Sequence, residues 1–525
     1  MEECFVAMNM ASSVVLVGIL SFIFYAYINE WYKSERIRRK LIKQGISGPP
    51  PSFLRGNLPD MKRIQAQIST TMKASTNNSY NFLEHHDDYT ATIFPYFEHW
   101  RKQYGRLYTY STGMKQHLYV NQPELVKEIN QCNNLDLGKP SHNSNKLRPL
   151  FGNGIVRANG LSWAHQRKLI APEFFMDKVK GMVGLMIESA QPLLTKWEQC
   201  IEAHGGGNGM VEVKVDADLR GFSADVISRV CFGHSYSKGK EIFSKIRILK
   251  EAISNSGYLF GLGRGTWKQS ESSNLEKEIE SLIWELVEER KASSSSEIDL
   301  MQSLLEAAKN DENQGQGKNF CKQFIVDNCK NIYLAGHETT AISASWSLMF
   351  LALHPEWQSH IRTEVAQYCP NGIPDADSLP LLKTVTMVIQ EVLRLYPPAA
   401  FVAREAYEDI QIGNLKVPKG VNIWTLIPTL HRDIEIWGED ANEFKPERFK
   451  EGVSKACKFP QSYLPFGSGA RLCVGKNLGM MELKIVIALI ISKFQVSLSP
   501  SYKHSPICRI LVEPEHGVDL LIQKI

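Results

Sequence analysis

The segment Phe466-Gly467-Ser468-Gly469-Ala470-Arg471-Leu472-Cys473-Val474-Gly475 constrains this chain more than any other stretch. It sets one cysteine in a glycine-rich turn directly ahead of an apolar helical run, Gly475–Phe494. A metal-bound thiolate needs its charge stabilised, and the backbone N–H groups at a helix start supply this. The glycines let the backbone approach a flat macrocycle closely, where a Cβ would collide. Arg471 is placed to meet a carboxylate on such a ligand. A structural cysteine in a turn requires none of these accompaniments. The chain has 10 cysteines, scattered singly with no Cys-x-x-Cys pair. That usage fits a reducing compartment, where most cysteines are small buried hydrophobes.

A second constraint is the long apolar helical pattern Gln323–Leu353, ended by His354-Pro355. Its middle reads Ala335-Gly336-His337-Glu338-Thr339-Thr340. A glycine inside a helix costs about 1 kcal/mol relative to alanine, so Gly336 calls for a reason, and a ligand approaching the backbone is one. His337-Glu338 begins like a zinc-protease His-Glu-x-x-His motif, but position 341 is alanine and the second ligand is missing. Helical spacing also marks Lys178–Ile201, Leu275–Arg290 and Pro380–Leu395. Shorter strand patterns occupy Leu107–Thr112, His117–Val120 and Ile410–Val417, the last with a Gly413-Asn414 turn signal. Polar stretches at Ser69–Thr90, His204–Gly209, Ala292–Glu297 and Lys309–Asn319 read as surface loops. The pattern predicts a mainly α protein with small β-sheets. No repeat period interrupts it.

The amino terminus predicts membrane attachment. No charged residue occurs from Phe5 to Asn29, and Lys33, Arg36, Arg38, Arg39, Lys40 and Lys43 follow directly. Roughly 20 apolar residues span a bilayer, and the flanking basic cluster leaves everything after Trp31 in the cytosol. Glu2 and Glu3 precede the apolar run, unlike the basic start of a cleaved signal peptide. Residues 1–32 are expected to form a single-pass anchor. Residues 33–51, ending in GISGPPP, read as a basic and proline-rich hinge, and residues 52–525 as the cytosolic catalytic domain. The Asn77-Asn78-Ser79 glycosylation sequon should then stay unmodified. A net charge of +4 argues against nucleic acid as a partner.

Taken in order, these motifs resemble those of the cytochrome P450 family, and the resemblance covers essentially the whole chain after the anchor. It implies the P450 fold, a helical triangular prism holding haem between two long helices. Cys473 would be the axial thiolate on the iron, pushing electron density that favours O–O cleavage. Phe466, Arg471 and Gly475 would complete that side of the cofactor site. Trp163 and Arg167, one helical turn apart, would contact a haem propionate with Arg404; by spacing alone they could be a surface cation–π pair. The resemblance assigns Glu338 and Thr339 a catalytic role as an acid–alcohol pair relaying protons to dioxygen. Glu391 and Arg394 share one helix face, a spacing that often marks an exposed ion pair. With Arg448 of Phe444-Lys445-Pro446-Glu447-Arg448-Phe449, the resemblance makes them a buried structural network. Ala335, Gly336, Ala399, Ala400, Phe401 and Val402, with the loop around Leu150–Arg157, would line the substrate pocket.

Partners follow from the same resemblance. The chain shows no convincing dinucleotide-binding glycine turn and no flavin region, so electrons from NADPH would arrive through a separate NADPH–cytochrome P450 reductase. Residues 335–340, with the stretches KQGISGPPPSFLRGN, RKQYGRLYTYSTG and APEFFMDKVKGMVGLM, are similar to plant P450s acting on hormones and terpenoids. The nearest resemblance is to a family of gibberellin-oxidising and oleanane-triterpenoid-oxidising enzymes. The expected reaction inserts one oxygen atom of O2 into an unactivated C–H bond of a polycyclic terpenoid at the endoplasmic reticulum membrane. Diterpenoid and triterpenoid substrates stay open, as do the carbon attacked and the number of steps. Two other classes compete: a haem-thiolate isomerase or dehydratase, which the Glu338-Thr339 pair argues against, and a non-catalytic haem-binding sensor.

Overall fold

Two long helices buried over most of their length organise this protein. The computed structural model describes residues 2–75, 88–141, 146–204, 209–233, 236–255, 269–292 and 299–525. The sequon at residues 77–79 lies outside them. Seven helices carry the argument: α1 (Glu2–Ile42), α2 (Gly160–Ile170), α3 (Asp216–Phe232), α4 (Tyr236–Asn255), α5 (Lys318–Leu353), α6 (Lys383–Leu395) and α7 (Lys476–Lys493). α5 and α7 are the two core helices, buried over most of their length, and α3 packs along α5.

The largest sheet has five strands. β1 (Leu107–Thr112) pairs antiparallel with β2 (Lys115–Val120), and β3 (Leu137–Gly138) lies at the far edge. Further along the chain come β4 (Met210–Lys214), β5 (Phe401–Ala406), β6 (Ile410–Ile412), β7 (Leu415–Val417) and β8 (Asn422–Leu426). The sheet order is β1-β2-β8-β5-β3, with β2 and β8 parallel. β6 and β7 form the hairpin expected around Gly413. The carboxyl-terminal strands are β9 (Phe494–Leu498), β10 (Pro506–Arg509), β11 (Leu511–Pro514) and β12 (Asp519–Lys524). β4-β12-β9 make one small sheet and β10-β11 a hairpin. The fold is mainly α with small sheets, as the periodicity implies.

Several boundaries differ from the sequence expectation. The Lys178–Ile201 pattern is two helices, Met176–Gly181 and Val183–His204, parted at Met182. α6 starts at Lys383 instead of Pro380, where Glu364 of the preceding helix accepts the N–H groups of Thr384 (2.6 Å) and Val385 (3.1 Å). The polar stretches at 69–90 and 309–319 are helical in part: Leu58–Ser75 and Leu300–Asn313 run into them. A polar run can be the solvated side of an amphipathic helix as readily as a loop.

The amino-terminal segment departs most from expectation. From Ser12, α1 is long and apolar enough to cross a membrane, and its apolar window is not buried against the rest of the protein. The helix does not end near residue 32 but continues through the basic cluster to Ile42. Ser34 Oγ accepts Gln116 Nε2 of β2 at 2.9 Å, and Leu41 is fully buried. Gln44 exchanges two hydrogen bonds with the Lys416 backbone of β7. Gly48 lies so close to β1 that a Cβ there would sit 1.8 Å from the Thr109 carbonyl oxygen. The segment after the apolar run is therefore docked on the sheets through Ser34, Leu41, Gln44 and Gly48.

Candidate active site

The Cys473 turn is built from backbone bonds. Gly467 and Gly469 adopt left-handed backbone (φ 69° and 65°), Leu472 N donates to Gly469 O (3.0 Å) and Cys473 N to Phe466 O (2.9 Å). α7 begins at Lys476, with Gly475 as its cap. A Cβ on Gly469 would lie 1.6 Å from the Asn130 carbonyl oxygen, so this glycine answers to a neighbouring backbone. Gly469→Ala is expected to cost about 1–3 kcal/mol or more, read as a lower denaturant midpoint of the holoprotein; an unchanged midpoint would contradict the contact.

Cys473 opens onto a cavity of about 290 Å³ between α5 and α7. Burial pushes its thiol pKa up, while the Gly475 N–H, Arg167 and Lys476 act the other way. These are the groups that would favour a thiolate. Arg167 donates to Leu472 O at 2.5 Å, one residue from the cysteine. Its charge therefore also acts on Cys473.

The opposite wall is the bared middle of α5. The helix is otherwise buried from Phe324 to Leu351, yet Ala335 is exposed and Gly336 and Thr339 are half-exposed. All three line the cavity with Ala399, Phe401 and Val402. Ala400, expected beside them, is buried in the core, and its carbonyl accepts Ile427 N at 2.9 Å. The Leu150–Arg157 loop is not among the lining residues. It is tied to the first turns of α5, where Asp327, Asn328 and Asn331 accept the N–H groups of Asn153, Ile155 and Val156. Gly336 also has a packing reason that the sequence did not suggest: a Cβ there would meet Ile227 Cδ1 of α3 at 2.4 Å.

One end of the cavity is cationic. Lys139, Arg404 and Arg471 line it, and among the described residues none makes an ion pair with a carboxylate. Burial, with Arg404 and Arg471 nearby, lowers Lys139 to about 7. Burial likewise lowers Arg404 and Arg471 to about 10. Arg471 donates to Ala158 O (2.9 Å) and Asn159 Oδ1 (3.1 Å) and lies 3.9 Å over the Trp163 ring. Trp163 thus backs Arg471 at this edge. Arg404 is buried and Lys139 and Arg471 are half-buried, so three neighbouring cations without a carboxylate are an unfavourable arrangement that a dianion relieves. A thiol and a cluster of cations lining one cavity fit haem: Cys473 would hold the iron, and Lys139, Arg404 and Arg471 would meet the propionates. Lys139 carried no sequence signal, because the pairing of β3 with β5 (Gly138↔Glu405) is what brings it to Arg404.

Glu338 does not face the cavity. It is fully buried, 2.7 Å from Lys250 Nζ of α4, with His337 and Arg220 of α3 at 3.3 and 3.5 Å. Burial works to raise its pKa, but the His337 hydrogen bond, Lys250 and Arg220 hold it well below the usual carboxylate range. Thr339, next in sequence, donates to Ala335 O at 2.8 Å from the cavity wall. Elsewhere, Glu391 and Arg394 form a buried bidentate pair with both contacts at 2.7 Å, and Arg448 joins Glu391 at 3.3 Å.

A cysteine before one core helix, the bared middle of another and a cationic cluster thus line one cavity. A family model for cytochrome P450 matches residues 78–520. The chain is 54% identical to cytochrome P450 714A2 of Arabidopsis thaliana, over 96% of each chain. It is 47% identical to cytochrome P450 714C2 of Oryza sativa subsp. japonica, over 95% of each. With cytochrome P450 714B3 of Zea mays it shares 46% identity, over 99% of this chain and 98% of the relative. The chain belongs to the cytochrome P450 family and is a plant P450 monooxygenase. Its cofactor is haem, and O2 and NADPH-derived electrons are its co-substrates.

Proposed function

We propose that this P450 inserts oxygen into a C–H bond of a rigid polycyclic terpenoid, either a gibberellin-type diterpenoid or an oleanane-type triterpenoid. The observation that carries the reading is the cavity wall of small and apolar side chains, Ala335, Gly336, Ala399 and Val402, with Phe401. Small side chains leave room for a bulky apolar skeleton. The resemblance to gibberellin- and triterpenoid-oxidising enzymes supports the same substrate class. NADPH–cytochrome P450 reductase supplies the electrons, and α1 anchors the enzyme in the endoplasmic reticulum membrane with the catalytic domain in the cytosol.

Bound haem supplies the oxygen-activating chemistry. Cys473 would hold the iron, Lys139, Arg404 and Arg471 would hold the propionates, and Trp163 backs Arg471. Arg167 and the Gly475 N–H stabilise the sulfur charge. Thr339 presents its hydroxyl to the cavity, and Glu338 renews the proton that this hydroxyl passes on. Thr339→Ala is expected to lower product formed per NADPH on the order of tenfold or more, measured as product against NADPH consumed. Fully coupled turnover would refute the relay. For the substrate, the test is reductase-dependent turnover in microsomes supplied with gibberellin precursors and triterpene acids. No product from either class would overturn the terpenoid reading.

A further inference from the structure

Lys250 is a fully buried lysine with two carboxylates on one ammonium. Its Nζ lies 2.7 Å from Glu338 Oε2 of α5 and 2.9 Å from Glu513 Oε2 of β11. The other charged groups facing the cluster are Arg220 of α3, 4.0 Å from Glu513, and Arg509 of β10, 3.7 Å from Glu513. His337 completes it at 3.3 Å from Glu338. Four parts of the chain thus meet around one buried cation.

The arrangement bears on how Glu338 could reach Thr339. Successive side chains on a helix point about 100° apart, and here Thr339 faces the cavity while Glu338 faces Lys250. On Lys250 the carboxylate is held ionised, so it carries no proton. It must leave the ammonium to take one up. If Glu338 were the sole partner, its departure would strand a buried cation, which is strongly unfavourable. Glu513 removes that obstacle, and it is held independently of Glu338. Its neighbour Val512 donates to Pro398 O at 2.8 Å, and the Val512 carbonyl accepts Trp346 Nε1 at 3.3 Å.

We propose that Glu513 is a positioning residue for oxygen activation: it retains Lys250 while Glu338 exchanges between that lysine and the cavity. The freed carboxylate takes up a solvent proton, the donating hydronium becoming water, and gives it to Thr339 Oγ as that hydroxyl yields its own proton to the cavity. The hydroxyl is then unchanged and Glu338 returns ionised to Lys250. The inference rests on the relay reading of Glu338 and Thr339, and it ties the relay to the β10–β11 hairpin.

The test uses the full-length holoenzyme with reductase. Glu513→Gln is expected to lower product per NADPH about tenfold, equivalent to holding Glu338 on Lys250 more tightly by roughly 1.4 kcal/mol, and to raise the solvent deuterium isotope effect on turnover. Glu513→Asp should recover part of both. Unchanged coupling and isotope effect in Glu513→Gln, with Glu338→Gln impaired, would overturn the inference and leave the relay standing. An unimpaired Glu338→Gln would overturn the relay itself. Unfolding gives a readout independent of turnover. Lys250→Met should unfold at lower denaturant, and adding Glu513→Gln should recover part of that loss; strictly additive losses would overturn the proposal.

Discussion

Replacing Cys473 with serine is expected to abolish the reduced carbon monoxide spectrum of thiolate-ligated haem and to reduce product formation to background. The change substitutes one atom in a turn whose own bonds are backbone bonds: Cys473 N to Phe466 O and Leu472 N to Gly469 O. Far-ultraviolet circular dichroism should therefore be unchanged, and the loss reports the ligand and not the fold. A serine hydroxyl holds its proton far more tightly than a thiol and is a harder donor, so the Gly475 N–H and Arg167 would have no soft anion to stabilise. An unaltered carbon monoxide spectrum would sink the assignment of Cys473 to the iron.

The second large effect concerns stability. Arg394→Met is expected to cost about 3–5 kcal/mol, because it leaves the fully buried Glu391 without the partner that holds both of its oxygens. The arginine also donates to the carbonyls of His431 (2.8 Å) and Glu443 (2.9 Å), which would lose their donor. Against a typical total of about 5–15 kcal/mol, that loss should sharply reduce the yield of folded holoenzyme. Arg394→Lys should not rescue it, since one ammonium cannot span two carboxylate oxygens and the backbone carbonyls together. A variant within about 1 kcal/mol of the parent in equilibrium unfolding would show that the network is not the support its geometry implies.

Comparison of pattern with fold shows where local reading works. β1 occupies the residues its alternation marks, Leu107–Thr112, and α5 ends at Leu353 before His354-Pro355. Such elements carry their cause in adjacent residues. The glycines were legible as special positions, but the packing reasons for two of them were not. Gly469 yields to the Asn130 carbonyl and Gly336 to Ile227, and both neighbours are distant in sequence. Residues 33–51 show a related limit: basic residues and prolines mark a boundary in composition, while docking depends on Gln116 and Lys416 far along the chain.

The site divides the same way. The Cys473 turn, the bared α5 motif and the Glu391–Arg394 spacing are each contained in a few consecutive turns of chain, so their residue types announce them. What the residues face is a tertiary matter. Lys139 joins Arg404 only through β3–β5 pairing, and Lys250 meets Glu513 across 263 positions. Glu338 and Thr339 are neighbours in sequence but point into different surroundings, one onto a buried lysine and the other into the cavity. The sequence by itself determined the Cys473 turn and the helices around it, because those depend on local spacing. Only the tertiary structure decided which charges are buried together, because burial depends on what packs from elsewhere in the chain.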